Sequence, residues 1–355
     1  MCQYMSQRHM YQYPFFGALL RATKALLALP ILSLPVIILG LVGCETLQLP
    51  TPSADTERPT PQAAQPVFAT QLMRRHGGRP TIEVFVDGQG PFDFIVDTAA
   101  TQSGVFDNLR EQLSLASSTD RLANVFGITG TETRPTLTLE NVAFGPGLLD
   151  LEAVLFDDWR GSDTTPQGII GLDLLRTYIV VFDQEREQLL LYDHENAPDF
   201  DTDDWRWTPI IEDGFDVTDT PLYTVQSNIR RDRFRMLLDT GADVSLGNFA
   251  LLGRVVRDDL IIRLGVSPTR LSDVFGDSTA IYELAYEGLR SGDIIWGDGT
   301  MYSLNAQIFE DLGYNRRPFA IAGYDLLGRN TVAFDFRARK LFVLENPSPI
   351  AGLGR

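Results

Sequence analysis

Phe92-Asp-Phe-Ile-Val-Asp97-Thr98-Ala99-Ala100 and Phe234-Arg-Met-Leu-Leu-Asp239-Thr240-Gly241-Ala242 decide the reading of this chain. In each, an acid follows an apolar, strand-like run and is itself followed by Thr and two small residues. Asp-Thr also occurs at Asp55, Asp163, Asp201 and Asp219, but without an apolar strand before it and small residues after it. Context, not the dipeptide, makes the signal: a carboxylate placed just past a buried strand is held at a tight turn. Two such turns can bring two carboxylates together.

The surroundings repeat as well. Val125-Phe126-Gly127 answers Val274-Phe275-Gly276, and Gly168-Ile-Ile-Gly171-Leu-Asp173-Leu-Leu175 answers Ala320-Ile-Ala-Gly323-Tyr-Asp325-Leu-Leu327. Each copy then runs into a strand ending in an acid (Ile179–Asp183, Thr331–Asp335) and a final strand (Gln188–Tyr192, Lys340–Leu344). The spacing between copies grows from 142 residues (97 to 239) through 149 (126 to 275) to 152 (171 to 323). That slow drift fits a duplicated domain with short insertions in its second copy, and the period is too long for a solenoid.

At these residues the chain resembles the aspartic proteases, most closely their retropepsin-like bacterial branch. The family pattern is an apolar strand, Asp-Thr-Gly-Ala, a flap hairpin, then two apolar residues and a Gly opening a short helix. The resemblance covers roughly residues 80 to 193 and 209 to 345. It implies an all-β fold of two homologous retropepsin- or pepsin-like barrel lobes, related by a pseudo-two-fold axis with a cleft between them. It also implies that Asp97 and Asp239 are catalytic acids activating one water between them. Thr98 and Thr240 would hydrogen-bond across the axis, and Ala99, Gly241, Ala100 and Ala242 would support the carboxylates. Ala99 departs from the usual Gly, a modest change unless the position needs φ > 0. Family flaps would map to Gly127, Ile128, Thr129 and Gly130 in the first half and to Gly276 and Asp277 in the second. Asp243 sits where retroviral enzymes carry a substrate-backbone contact, but its counterpart is Thr101 and the sequence shows it no matched Arg.

Two carboxylates a few ångströms apart cannot both ionise cheaply, so they share a proton and titrate as a pair. Ala100 and Ala242 occupy positions where pepsin-like enzymes have a hydroxyl residue stabilising the carboxylate. Fewer hydrogen bonds to the charged form predict higher pKa values and a mildly acidic to neutral optimum. Gly171 and Gly323 read as close-packing positions at helix entry. Asp173 and Asp325 read as helix N-terminal caps, and Asp183 and Asp335 as structural acids at strand ends.

The N-terminus indicates location. Residues 1–24 carry Arg8, Arg21 and Lys24 and no acid, and an apolar, charge-free stretch ends in Leu41-Val42-Gly43-Cys44. This resembles a bacterial lipoprotein signal cleaved before Cys44 and acylated there. A single transmembrane anchor is the competing reading, weakened by Pro30 and Pro35. Either way the globular part faces outside the cytoplasm, in a bacterial envelope. The expected organisation is a signal at 1–44, a disordered Pro/Thr/Ala/Gln tether at 45–66 and a first lobe at 67–198. An acidic linker at 199–208, a second lobe at 209–347 and a tail at 348–355 follow.

Composition bounds the rest. With 355 residues and 44% hydrophobic content, two domains with real cores are possible. Alternation in Thr81–Val86 and Thr136–Val142 points to β structure, and Leu251–Leu264 is the best helix candidate. The net charge of −17 includes the three N-terminal cations, so the chain after Cys44 carries more negative charge still. That argues against nucleic-acid partners. Cys2 and Cys44 are the sole cysteines and His9, His76 and His194 the sole histidines, so neither a disulfide in the mature chain nor a zinc or Ser/His site is expected. No cofactor or metal is called for. Asp199–Asp204 lacks the Gly and terminal Glu of a calcium loop. The expectation is a monomeric aspartic endopeptidase acting on peptides or proteins. The alternatives are an inactive relative that binds peptides or envelope proteins and, more distantly, a two-carboxylate glycoside hydrolase, which gives Asp-Thr-Gly no role.

Overall fold

Alternation builds the first lobe. Along the strand Arg79–Val86, Ile82, Val84 and Val86 are buried while Glu83 and Phe85 are exposed, as a sheet with one face on a core requires. The computed structural model describes residues 64–116, 118–127, 130–159, 165–213, 221–255, 269–272 and 278–345, all within one contact unit, Pro61–Arg355. The expected signal, and the tether up to residue 63, lie outside the described residues. Among the described residues no helix is long and apolar enough to cross a membrane.

In the first lobe, Arg79–Val86, Gln89–Val96, Gly168–Ile170, Gly104–Phe106, Gly147–Phe156 and Thr131–Phe144 pair in that order. The ring closes through Phe85 opposite Ala143 and Val86 opposite Val142. In the second, Leu222–Ile229, Asp232–Leu238, Phe319–Ala322, Leu246–Asn248, Ile294–Leu304 and Ser278–Ser291 follow the same order. That ring closes through Ser227 to Ile229 opposite Leu289 to Ser291. Each lobe is thus a closed six-stranded sheet, which leaves no open edge within the ring, and the fold is all-β with two homologous lobes.

In each ring the acid-bearing strand lies against a short, fully buried parallel partner. Phe94, Ile95 and Val96 lie beside Gly168, Ile169 and Ile170, and Met236, Leu237 and Leu238 beside Ala320, Ile321 and Ala322. The next rung holds the acids themselves. Asp97 N donates to Ile170 O at 2.9 Å, and Asp239 N to Ala322 O at 3.0 Å.

A further sheet joins the lobes. Its order is Phe68–Gln71, Gln188–Tyr192, Ile179–Asp183, Val332–Asp335, Lys340–Leu344 and Trp205–Asp213. At its centre Val181 pairs with Ala333, its own counterpart 152 residues on, so the pseudo-two-fold axis passes through this rung. One face contributes Val180, Phe182, Phe334, Leu341 and Val343 to the main core. The other, with Ile179, Val181, Ala333 and Phe342, is covered by Phe200, Trp205 and Trp207. The strand Trp205–Asp213 begins inside the stretch read as a linker, and Phe200 from the acidic run stacks 5.4 Å from Phe342.

The helix expected at Leu251–Leu264 begins earlier, at Phe249, and is described to Val255. Asn248 sets its start, its Oδ1 accepting from Leu251 N at 2.9 Å. Residues 256–264 lie outside the described residues.

Phe182 is fully buried between Phe334 (5.7 Å) and Tyr324 (6.0 Å), one ring from the first lobe against two from the second. Phe182→Ala should cost about 3–5 kcal/mol of unfolding free energy, read by urea titration. A loss below about 1 kcal/mol would show that this interlobe layer contributes little.

Candidate active site

The two motif loops interlock beneath the acids. Thr98 Oγ1 donates to Leu238 O at 2.8 Å and accepts from Thr240 N at 3.1 Å. Thr240 Oγ1 donates to Val96 O at 2.7 Å and accepts from Thr98 N at 3.0 Å. Both threonines are fully buried, and every bond crosses between lobes. The closed circuit satisfies four backbone groups that neither lobe can satisfy alone.

Asp97 and Asp239 meet above this circuit, close enough to hydrogen-bond, and each keeps a partly exposed face. Ala99 N and Ala100 N donate to Asp97 Oδ1 at 2.8 and 2.9 Å. Ala242 N donates to Asp239 Oδ1 at 2.9 Å. Burial raises both carboxyls above the usual range. For Asp239 the charge of Asp97 adds to burial, and its pKa is pushed up to about 8. Neither Ala99 nor Gly241 has a positive φ, so the alanine is not strained. Gly241 is required by space instead, since a Cβ there would fall on the Asp97 carboxyl group.

A second pair of contacts anchors each loop from behind. Ser103 N and Oγ donate to Asp173 Oδ1 at 3.0 and 2.8 Å, and Ser103 Oγ accepts from Gly171 N at 2.9 Å. In the other lobe Ser245 Oγ donates to Asp325 Oδ1 at 2.6 Å and accepts from Gly323 N at 3.0 Å. Asp173 and Asp325 stand in the first turn of their short helices, as expected, and each also ties its helix to the motif loop. Leu172 N and Tyr324 N complete the tie, donating to Ala100 O and Ala242 O at 2.7 Å each. Gly171 and Gly323 have room for no side chain, a Cβ falling 2.7 Å from Ala100 O and 2.6 Å from Val244 O respectively. Asp183 accepts from Glu185 N and Arg186 N in its own turn, and Asp335 from Ala338 N.

The structure also gives Asp243 the Arg that the sequence did not show. Arg79, from the opposite lobe, places Nη2 3.1 Å from Asp243 Oδ1 and donates from Nε to Gly241 O at 2.7 Å. Its guanidinium lies 5.1 Å over the Trp159 ring and its charge reaches both dyad acids. The register equates Arg79 with Leu222, since Thr81 and Thr224 pair with the residues two before each acid. This clamp is therefore one-sided. Sequence reasoning missed Arg79, Ser103 and Ser245. The two serines carried a usable signal, each lying six residues after its acid.

Gly127 and Gly130 close the hairpin between Ser118–Phe126 and Thr131–Phe144, with Gly127 N donating to Gly130 O at 2.8 Å. Thr131 Oγ1 donates to Asp311 Oδ2 of the second lobe at 3.3 Å. Ile128, Thr129, Gly276, Asp277 and Cys44 lie outside the described residues. Strands Thr269–Ser272 and Ser278–Ser291 pair on either side of the second flap position. Among the described residues no three His, Cys, Asp or Glu side chains converge on a metal site.

Fold and site together define a two-lobed all-β protein with a carboxylate pair on its pseudo-axis. Residues 82–174, holding the first motif, its flap hairpin and the Gly171 turn, match the aspartyl protease family. This stretch is an aspartyl protease domain of the retropepsin-like kind. No curated protein matches the chain.

Thr240→Val keeps the shape but orphans Val96 O and Thr98 N, and should cost about 2–4 kcal/mol. Thr240→Ser keeps both bonds and should cost about 1 kcal/mol for its lost methyl. Equal losses in denaturant unfolding would deny the hydroxyl its role. A second prediction concerns pH. Because the folded pKa of Asp239 is raised, its contribution to stability is complete below 3.8 and is lost as pH rises through about 8. Asp239→Asn should therefore melt above wild type at pH 7 to 8, the difference vanishing near pH 3. A variant melting below wild type at pH 8 would contradict the raised pKa.

Proposed function

We propose that this chain is an aspartic endopeptidase that hydrolyses peptide bonds with a water held between Asp97 and Asp239. The observation that carries the reading is the pair itself: two partly exposed carboxyls in mutual contact, both with raised pKa values, on loops locked by the threonine circuit. Raised and mutually coupled acids hold one proton between them over a wide pH range, which is the state peptide hydrolysis requires. The ionised carboxylate takes a proton from the water as its oxygen attacks the scissile carbonyl, and the protonated one donates to the carbonyl oxygen. Rigid placement of both groups is what general acid–base catalysis depends on. The aspartyl protease match over residues 82–174 supports a peptidase hydrolase. Because both halves of the site lie in one chain, a monomer suffices.

The N-terminal pattern supports a location at a bacterial envelope. Acylation at Cys44 would anchor it, and the Pro-rich segment to residue 66 would lift the lobes from the membrane surface. Peptides or proteins of that compartment are its substrates.

Full-length protein in detergent, incubated with a diverse peptide mixture from pH 3 to 8 and read by mass spectrometry, tests the reading. Cleavage should follow a bell-shaped pH profile with a mildly acidic to neutral optimum, the alkaline limb falling as Asp239 ionises near 8. Asp97→Asn and Asp239→Asn should each lower kcat by at least about 10²-fold. A profile peaking below about pH 3 would contradict the raised pKa values. Absence of cleavage by folded wild type at every pH would favour a peptide-binding relative.

A further inference from the structure

The two motif loops differ at one position of the Asp-Thr-X-Ala frame, and at Gly241 that position faces the Asp97 carboxyl. Asp97 lies directly over the Cα of Gly241, in space that a Cβ would fill. Ala99 already carries a Cβ at the equivalent position, so Asp239 cannot lie over residue 99 as Asp97 lies over Gly241. The hydrogen bonds follow this inequality. Asp97 Oδ1 takes two backbone N–H donors, from Ala99 and Ala100, whereas Asp239 Oδ1 takes one from Ala242 at 2.9 Å and a weaker contact from Gly241 N. Two such bonds favour an ionised carboxylate more than one bond and a weaker contact do.

Other charges near the pair do not separate the two acids. Arg79 acts on both in the same direction. Asp243 is paired with Arg79. Asp173 and Asp325 lie behind their own loops in matching serine contacts. Residues 99 and 241 mark the position of the Asp-Thr-X-Ala frame at which the two loops differ.

We propose that Ala99 is a positioning residue that makes the pair unequal, with Asp97 as the ionised base and Asp239 as the holder of the shared proton. The assignment deepens, and in its catalytic part rests on, the endopeptidase reading. Asp97 removes a proton from water as the water oxygen bonds to the carbonyl carbon, and Asp239 passes its proton to the carbonyl oxygen, giving a gem-diol. Asp97 then protonates the amide nitrogen as the C–N bond breaks, and a diol hydroxyl returns its proton to Asp239.

The experiment is a pH titration of full-length protein in detergent, labelled with ¹³C at aspartate carboxyls and followed by NMR. The resonances are assigned by their loss in Asp97→Asn and Asp239→Asn. In wild type Asp97 should ionise first and Asp239 last. Ala99→Gly, which gives Asp239 room over residue 99, should narrow the gap by about one pH unit, a tenfold change in relative acidity. Equal titration, the reverse order, or a gap unchanged in folded Ala99→Gly would overturn the proposal. The readout needs no turnover: an ordered titration without peptide cleavage would sink the endopeptidase reading and leave the asymmetry standing.

Discussion

The crossed bonds of Thr98 and Thr240 are the constraint on which the rest of this structure depends. A strand that ends at a buried turn leaves backbone groups without partners, and unpaired groups in a low-dielectric interior are costly. Here each lobe ends its acid-bearing strand in that condition, and each supplies the hydroxyl that relieves the other. The Val96 and Leu238 carbonyls and the Thr98 and Thr240 amides close one four-bond circuit across the axis. Neither lobe can move at this point without breaking bonds in both, and the carboxyls above inherit that rigidity.

Rigidity is needed because the carboxyls oppose one another. Burial raises both, and Asp97 adds charge against Asp239, so at neutral pH the pair works against folding. The opposing stabilisation comes from places where chemistry is not at stake. The Ile179–Asp183 and Val332–Asp335 strands join the lobes into one sheet with apolar residues on both faces. Ser103 with Asp173 and Ser245 with Asp325 brace the loops from behind. Strain concentrated at a site and over-determined by its surroundings is a familiar arrangement in proteins.

Legibility in the sequence divides along the same line. The duplication, the acids, the strand before each and the all-β fold were readable because their signal is local: apolar runs, small residues and repeated order. What escaped joins distant residues. Arg79 and Asp243 are 164 residues apart in opposite lobes, and because Leu222 stands at the position equivalent to Arg79, comparing the two halves would not have exposed it. Asp173 resembled a cap because it follows a helix-opening Gly, yet its partner is Ser103, 70 residues earlier. The stretch 199–208 read as an acidic linker, while Phe200 within it is buried against Phe342 and Trp205. Charge density masked one apolar anchor. The Phe249 helix began earlier than periodicity indicated because Asn248, a polar residue in a buried strand end, supplies its cap.

Fusion of the two halves explains how a symmetric frame carries unequal loops. In an assembly of two identical chains every substitution appears twice. An alanine at the third motif position would then place a methyl group beneath both carboxyls, and the room that Asp97 uses over Gly241 would be lost on both sides. In a single chain the two positions vary independently: one loop keeps glycine because a carboxyl rests on it, and the other accepts alanine because none does. The same independence allows Arg79 to clamp Asp243 on one side while Leu222 and Thr101 occupy the equivalent positions on the other. The buried threonine circuit, where a change on one side would orphan groups on the other, stays symmetric. These differences lie at positions around the acids where a substitution alters charge and space without breaking the bonds that hold the lobes together.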